Sequence, residues 1–184
     1  LTEPGQALLS IVERMLVDAD NIKRLADDFN KVDEGTLTIA TTHTQARYVL
    51  PPIVNLFKKE FPKVHLILQQ ASPVEITEML LQGEADIGIA TESLTTENNL
   101  ASVPFYKWQH SIITPQNHPL ASHDHIALTD LATYPIITYH GGFTGRSKID
   151  EAFEQAGLDV DIVMSALDAD VIKTYVELGM GIGI

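Results

Sequence analysis

Thr36-Leu37-Thr38-Ile39-Ala40-Thr41-Thr42-His43-Thr44-Gln45 runs from a β-branched, apolar stretch directly into residues that begin a helix. Threonine, isoleucine and leucine in alternation suit a pleated, half-buried backbone. From residue 44 the period changes. Ala46, Leu50, Ile53, Val54 and Phe57 fall on one side of a helix reaching residue 60, with Pro51-Pro52 kinking or restarting it. Working outward, Phe61-Pro62 leads to a second strand over residues 64–70. Pro73 opens a helix through Leu81 that Gly83 stops, and residues 86–90 form a short apolar third strand. Strand-helix-strand-helix-strand with apolar strands predicts a parallel sheet covered on both faces.

The second half repeats the theme less cleanly. Residues 100–106 and 108–114 read as two extended segments, 128–132 as a short helix, and 136–139 as a strand before the turn at Gly141-Gly142. A helix over 146–156 ends at Gly157, a strand covers 160–165, and Asp168 caps a helix running to Leu178. Gly181-Ile182-Gly183-Ile184 begins another strand. The expected fold is α/β: two Rossmann-like lobes with mixed sheets, residues 35–104 and 105–184. A long helix precedes them over residues 1–34. In it Leu8, Met15, Ile22 and Phe29 recur every seven residues, with Ile11, Leu25 and Val32 interleaved and Asp18 breaking the set. Such a seam pairs helices, and one polar position in it helps fix register. The competing reading is an amphipathic helix packed on its own domain.

The chain has 184 residues with 12 Lys+Arg against 25 Asp+Glu, a formal net charge of −13. That balance excludes a nucleic-acid grip by these residues, because Lys and Arg must neutralise phosphates and the one basic cluster is Lys58-Lys59. There is no Cys, which excludes disulfides, thiolate zinc sites and a cysteine nucleophile, and fits a reducing cytoplasm. No apolar run approaches the roughly 20 residues of a membrane span. Leu1-Thr2-Glu3-Pro4 lacks the basic start of a signal peptide. A first residue other than Met, and a last segment in mid-strand pattern, read as a piece of a longer chain.

Chemistry concentrates where strands meet helices. Thr42, Thr44 and Gln45 lie where free N–H groups and the positive end of a helix dipole converge, an arrangement suited to a small anion held without a counter-charge. Thr44 alone is as well explained as a helix cap. Ser72 and Thr91 follow the second and third strands; each alone reads as a cap or turn residue, but together hydroxyls cluster at the carboxyl ends of all three strands, where open α/β sheets bind ligands. In the second lobe, His140-Gly141-Gly142-Phe143-Thr144-Gly145-Arg146-Ser147 again joins strand to helix and offers Thr144 and Gly145. It has neither the Gly-Lys-Ser/Thr ending of a phosphate loop nor the glycine spacing of a dinucleotide fingerprint. Arg146 can meet an anion or pair with Asp150 at i+4. Trp108 is core or a ligand-facing wall. His118, His123 and His125 with Asp124 read as a surface loop, so neither a metal nor a cofactor is expected. No Gly-x-Ser-x-Gly elbow or other catalytic motif is present, so an enzyme is not expected.

These motifs resemble those of LysR-type bacterial transcription regulators, in particular the CysB-like branch that governs sulfur assimilation. The resemblance spans the chain. Leu1-Thr2-Glu3-Pro4-Gly5 resembles the start of the family's linker helix, and Leu81-Gln82-Gly83-Glu84-Ala85-Asp86-Ile87-Gly88-Ile89 follows its general pattern. Ala40-Thr41-Thr42-His43-Thr44-Gln45-Ala46-Arg47-Tyr48, Gly142-Phe143-Thr144-Gly145-Arg146-Ser147 and Asp168-Ala169-Asp170-Val171-Ile172-Lys173-Thr174-Tyr175-Val176 resemble the narrower branch. His140-Gly141-Gly142 departs from the residue types expected before Phe143. The resemblance implies lobes of the type 2 periplasmic-binding-protein-like fold in a cytoplasmic, homotetrameric activator that dimerises through the linker helix. It implies DNA binding through a domain absent from this chain, with RNA polymerase a further partner of the full-length protein and no membrane partner. It also implies an acetylserine inducer or sulfate-like anions in the interlobe cleft, at Thr42, Thr44, Gln45, Thr91 and Thr144. The alternative is a two-lobed solute-binding protein for a small anion.

Overall fold

The structure, a computed structural model, describes residues 1–28, 34–91 and 99–184, without the side chains of Ser10, residues 24–28 and Thr144. It divides into two compact units, Leu1–Ser102 and Val103–Ile184. The expected seam residue Phe29, with Val32, lies outside the described residues.

The first unit opens with helix α1, Glu3–Asp28, whose first turn is closed by Gln6 N–H donating to Thr2 C=O. Strand β1, Gly35–Thr41, pairs in parallel with β2, Val64–Gln70, and with β3, Ile87–Ile89, giving the order β2-β1-β3. The helix expected over residues 44–60 is two pieces. A wide π-type turn covers Gln45–Val49, and helix α2, Leu50–Glu60, restarts with its prolines in the first turn, where a missing N–H costs no helical bond. Helix α3, Pro73–Gln82, sits between a capping box (Ser72 with Glu75) and a left-handed glycine, Gly83, at φ +73°. Its Ile76 is buried with Ala40 and Ala85, and Met79 and Leu80 pack around them.

The second unit carries the sheet β5-β4-β6, from β4 (Ile136–Tyr139), β5 (Ile162–Ala166) and β6 (Ile182–Gly183), all parallel. Ile113 forms one isolated antiparallel bridge to Gly183 outside these strands, and among the described strands the sheets expected to be mixed pair in parallel only. Successive β4 residues serve opposite faces. Ile136 joins Leu120, Leu131, Ile149, Phe153 and Ile182 on one side, and Ile137 joins Ala166, Ile172 and Val176 on the other. The covering helices are α4 (Leu128–Leu131), α5 (Thr144–Gln155) and α6 (Ala169–Glu177). Helix α5 starts two residues before its expected first residue. The two extended segments expected over 100–114 form no strand apart from Ile113, because the described residues supply no partner for the rest of their backbone. Trp108 is not in the core: it is 44% exposed, in the irregular stretch that replaces them.

Asp168 caps α6 as expected, its Oδ1 accepting from the N–H groups of Asp170 and Val171, each at 2.9 Å. Asp168→Ala should lower stability by about 1 kcal/mol in urea denaturation, and Asp168→Asn, which keeps an acceptor, by less. Equal losses in both variants would show that charge rather than capping matters there.

Candidate functional site

Two backbone bonds gather the carboxyl ends of the first sheet. Ala71 N–H, after β2, donates to Thr41 C=O at 3.1 Å, and Thr42 N–H donates to Ile89 C=O of β3 at 3.3 Å. Ser72, Thr42 and Thr91 thereby follow three strand ends tied at one level. Thr42 and Gln45 are buried, at 7% and 5% exposure. The chain turns into its helix immediately, with Thr44 already helical at φ −61°, ψ −39°, and the Thr44 side chain makes no capping hydrogen bond. A capping threonine has extended ψ and a bonded hydroxyl, so Thr44 is not a cap. Gln45 Oε1 is buried without a hydrogen-bond partner. An interior amide left so costs on the order of 1–3 kcal/mol, and such orphans mark places where a ligand or water belongs. The wide turn that carries Gln45 is of a kind common at functional sites.

The other first-unit candidates behave differently. Ser72 is a cap: its Oγ accepts from Glu75 N–H, and its own N–H donates to the Glu75 carboxylate at 2.8 Å. Hydrogen bonding to the Ser72 side chain, then to its backbone, holds the Glu75 carboxyl below its ordinary pKa. Thr91 is half-buried and engaged within the protein.

In the second unit, the backbone of Thr144 begins α5, while its side chain lies outside the described groups. Arg146 pairs with Asp150: Nε donates to both carboxylate oxygens, at 2.7 and 2.9 Å, and Nη1 to Tyr139 C=O at 3.0 Å. Gly141 and Gly142 border open space, so no close approach requires them, but Gly145 does face a neighbour. A Cβ there would lie 2.7 Å from the His110 ring. Sequence reasoning missed His110, since nothing local marks a histidine 35 residues upstream as a neighbour of Gly145. His118 and His123 have structural occupations. His118 Nδ1 accepts from Leu120 N–H and its ring meets Tyr134 edge-on, while His123 Nδ1 lies 3.0 Å from Pro119 C=O.

The first-unit cluster can therefore hold a small anionic group with helix-start N–H groups and the hydroxyls of Thr42 and Thr44. Gln45 Oε1 adds a buried acceptor with no protein partner. None of this needs positive side-chain charge.

A LysR substrate binding domain matches residues 30–184. The chain belongs to the LysR family, and its α/β lobes are those of the family's effector-binding, type 2 periplasmic-binding-protein-like fold. The HTH-type transcriptional regulator SsuR of Burkholderia cenocepacia is 54% identical over the whole chain, which spans 60% of that protein. CysB of the same organism is 51% identical over the whole chain, 59% of its length. The crystal structure of the cofactor-binding domain of the Cbl transcriptional regulator superposes with a TM-score of 0.78 at 53% identity, covering 82% of this chain and 66% of that one. This chain thus belongs with the SsuR, CysB and Cbl regulators. No helix among the described residues is long and apolar enough to cross a membrane.

Proposed function

We propose that this chain is the effector-sensing part of a cytoplasmic LysR-type transcription regulator of sulfur assimilation and cysteine biosynthesis genes. DNA would be bound by a domain outside it, and α1 would pair with α1 of a second copy. The relatives above, all named as transcriptional regulators, favour this over a solute-binding protein and over an enzyme. The ligand would be an acetylserine or a sulfate-like anion, bound through Thr42, Thr44 and Gln45 with Thr91.

The observation that carries the ligand assignment is the buried, unsatisfied Gln45 Oε1 beside the uncapped Thr44 hydroxyl. Acetylserine brings both a carboxylate for the N–H and hydroxyl donors and an N–H for the Gln45 oxygen. Sulfate satisfies only the former. A bound ligand shifts the regulator only through differential affinity for its two states.

Calorimetric titration of sulfate and of O-acetylserine is the direct test. Thr44→Ala should weaken sulfate binding by about 1–2 kcal/mol, the scale of a hydrogen bond to a charged group. Gln45→Leu should weaken O-acetylserine more than sulfate. No heat with either ligand, in protein shown to be folded, overturns the sulfur assignment.

A further inference from the structure

Helix α3 is held at both ends and along its length. At its amino end the Ser72–Glu75 capping box sits on the loop that Ala71 N–H ties to Thr41, at the level of the candidate site. In its middle, Ile76 and Leu80 lie directly on Gly88 of β3. A Cβ at Gly88 would come within 3.0 Å of Ile76 Cγ2 and closer still to Leu80 Cδ1. At its carboxyl end Gly83 adopts φ +73°, and Glu84 N–H closes back on Met79 C=O at 2.8 Å. A ten-residue helix so fixed is a rod of about 15 Å that moves as one body.

The far end of that rod touches α1. A methyl group at Gly83 would overlap the Asn21 side-chain amide, so the missing Cβ is what lets Asn21 sit there. The group nearest Gly83 is Asn21 Nδ2, a pure donor, brought to the carbonyl-rich, partially negative end of α3. Beyond the first turn of α1, Val17 and Asn21 are the only described side chains that are not exposed. One turn apart, they form a single strip. At 100° per residue that strip lies about 140° around the helix from Leu8, Met15 and Ile22, so docking on α3 leaves the apolar seam open.

We propose that the seating of Asn21 on Gly83 is the contact by which α1 takes its direction from α3. A displacement of α3 at the strand ends is then carried into the helix leading away from the lobe. The proposal rests on the function above only in treating α1 as the arm toward the rest of the protein, and it does not depend on which ligand is bound.

The absence of cysteine makes the test clean. Spin labels are placed at Glu13→Cys on α1 and Val74→Cys on α3, both exposed, and labelled chain is diluted into excess unlabelled chain. Pulsed dipolar spectroscopy should return one narrow intramolecular distance. Asn21→Ala, which leaves the Gly83 turn intact, should at least double the width of that distribution. Gly83→Ala, which displaces the amide, should do the same, and Lys23→Ala, on an exposed neighbour, should not. Widths unchanged in both Asn21→Ala and Gly83→Ala overturn the proposal, as does equal broadening by Lys23→Ala. Failure of the ligand assignment shows separately, as absence of sulfate and O-acetylserine heat in the unsubstituted chain.

Discussion

Met15→Glu combined with Ile22→Glu should raise the dissociation constant of self-association by at least roughly 100-fold while leaving the lobes folded. Met15 and Ile22 are 64% and 68% exposed, and Leu8, Leu9, Ile11, Val12 and Leu16 are exposed along the same helix. An amphipathic helix serving its own domain would bury that stripe, and α1 does not. Burying a side chain of this size stabilises by roughly 1.5–3 kcal/mol, and a dimer would lose four of them. Every 1.4 kcal/mol is about tenfold in affinity, so even a fraction of that ceiling separates the chains. Glutamate keeps the helix propensity of the position, so the loss reports on the seam and not on helix formation. Sedimentation across a concentration series reads the constant, and circular dichroism checks helicity. An unsubstituted chain that sediments as a monomer, or a variant that associates equally well, removes the pairing role from α1.

Ile76→Ala should destabilise the first unit by about 2–5 kcal/mol, against the 5–15 kcal/mol that holds a typical domain. Ile76 is 0% exposed, clustered with Ala40 and Ala85 under Met79 and Leu80 and set against Gly88, so its truncation leaves a cavity in a packed cluster. Val74→Ala, exposed on the same helix, should stay within about 0.5 kcal/mol. The core substitution should also weaken sulfate binding, because Ile76 lies one turn from Ser72 and steadies the strand ends that carry Thr42. Urea denaturation gives the first quantity and calorimetry the second. A loss under 1 kcal/mol would mean that α3 is not anchored as described.

Much of the fold was legible because its signals are local. The switch from period two to period 3.6 after Thr42, the stop at Gly83 and the cap at Asp168 each depend on a few consecutive residues. So does the Arg146–Asp150 pair at i+4. Ser72 is instructive. Its capping partner Glu75 stands three residues on, a readable capping-box signature, and the cap that Ser72 suggests when taken alone is the one the fold makes. Residues 100–114 mark the opposite failure. Their β-branched and aromatic residues fit a strand, but a strand exists only when another backbone pairs with it, and pairing is not a property of the segment itself.

The sequence by itself determined the order of most elements, the parallel pairing of the first three strands, the polar residues Thr42, Thr44 and Gln45 where the first strand meets its helix, and the seven-residue apolar recurrence in the first helix. These follow from side-chain chemistry and backbone preference acting over one or two turns. The tertiary structure alone decided which hydroxyls cap and which do not, that Gln45 is buried with an unanswered oxygen, and that His110 lies on Gly145. It alone seated Asn21 on Gly83. Those outcomes depend on contacts between residues tens of positions apart, where only the folded chain decides what is near.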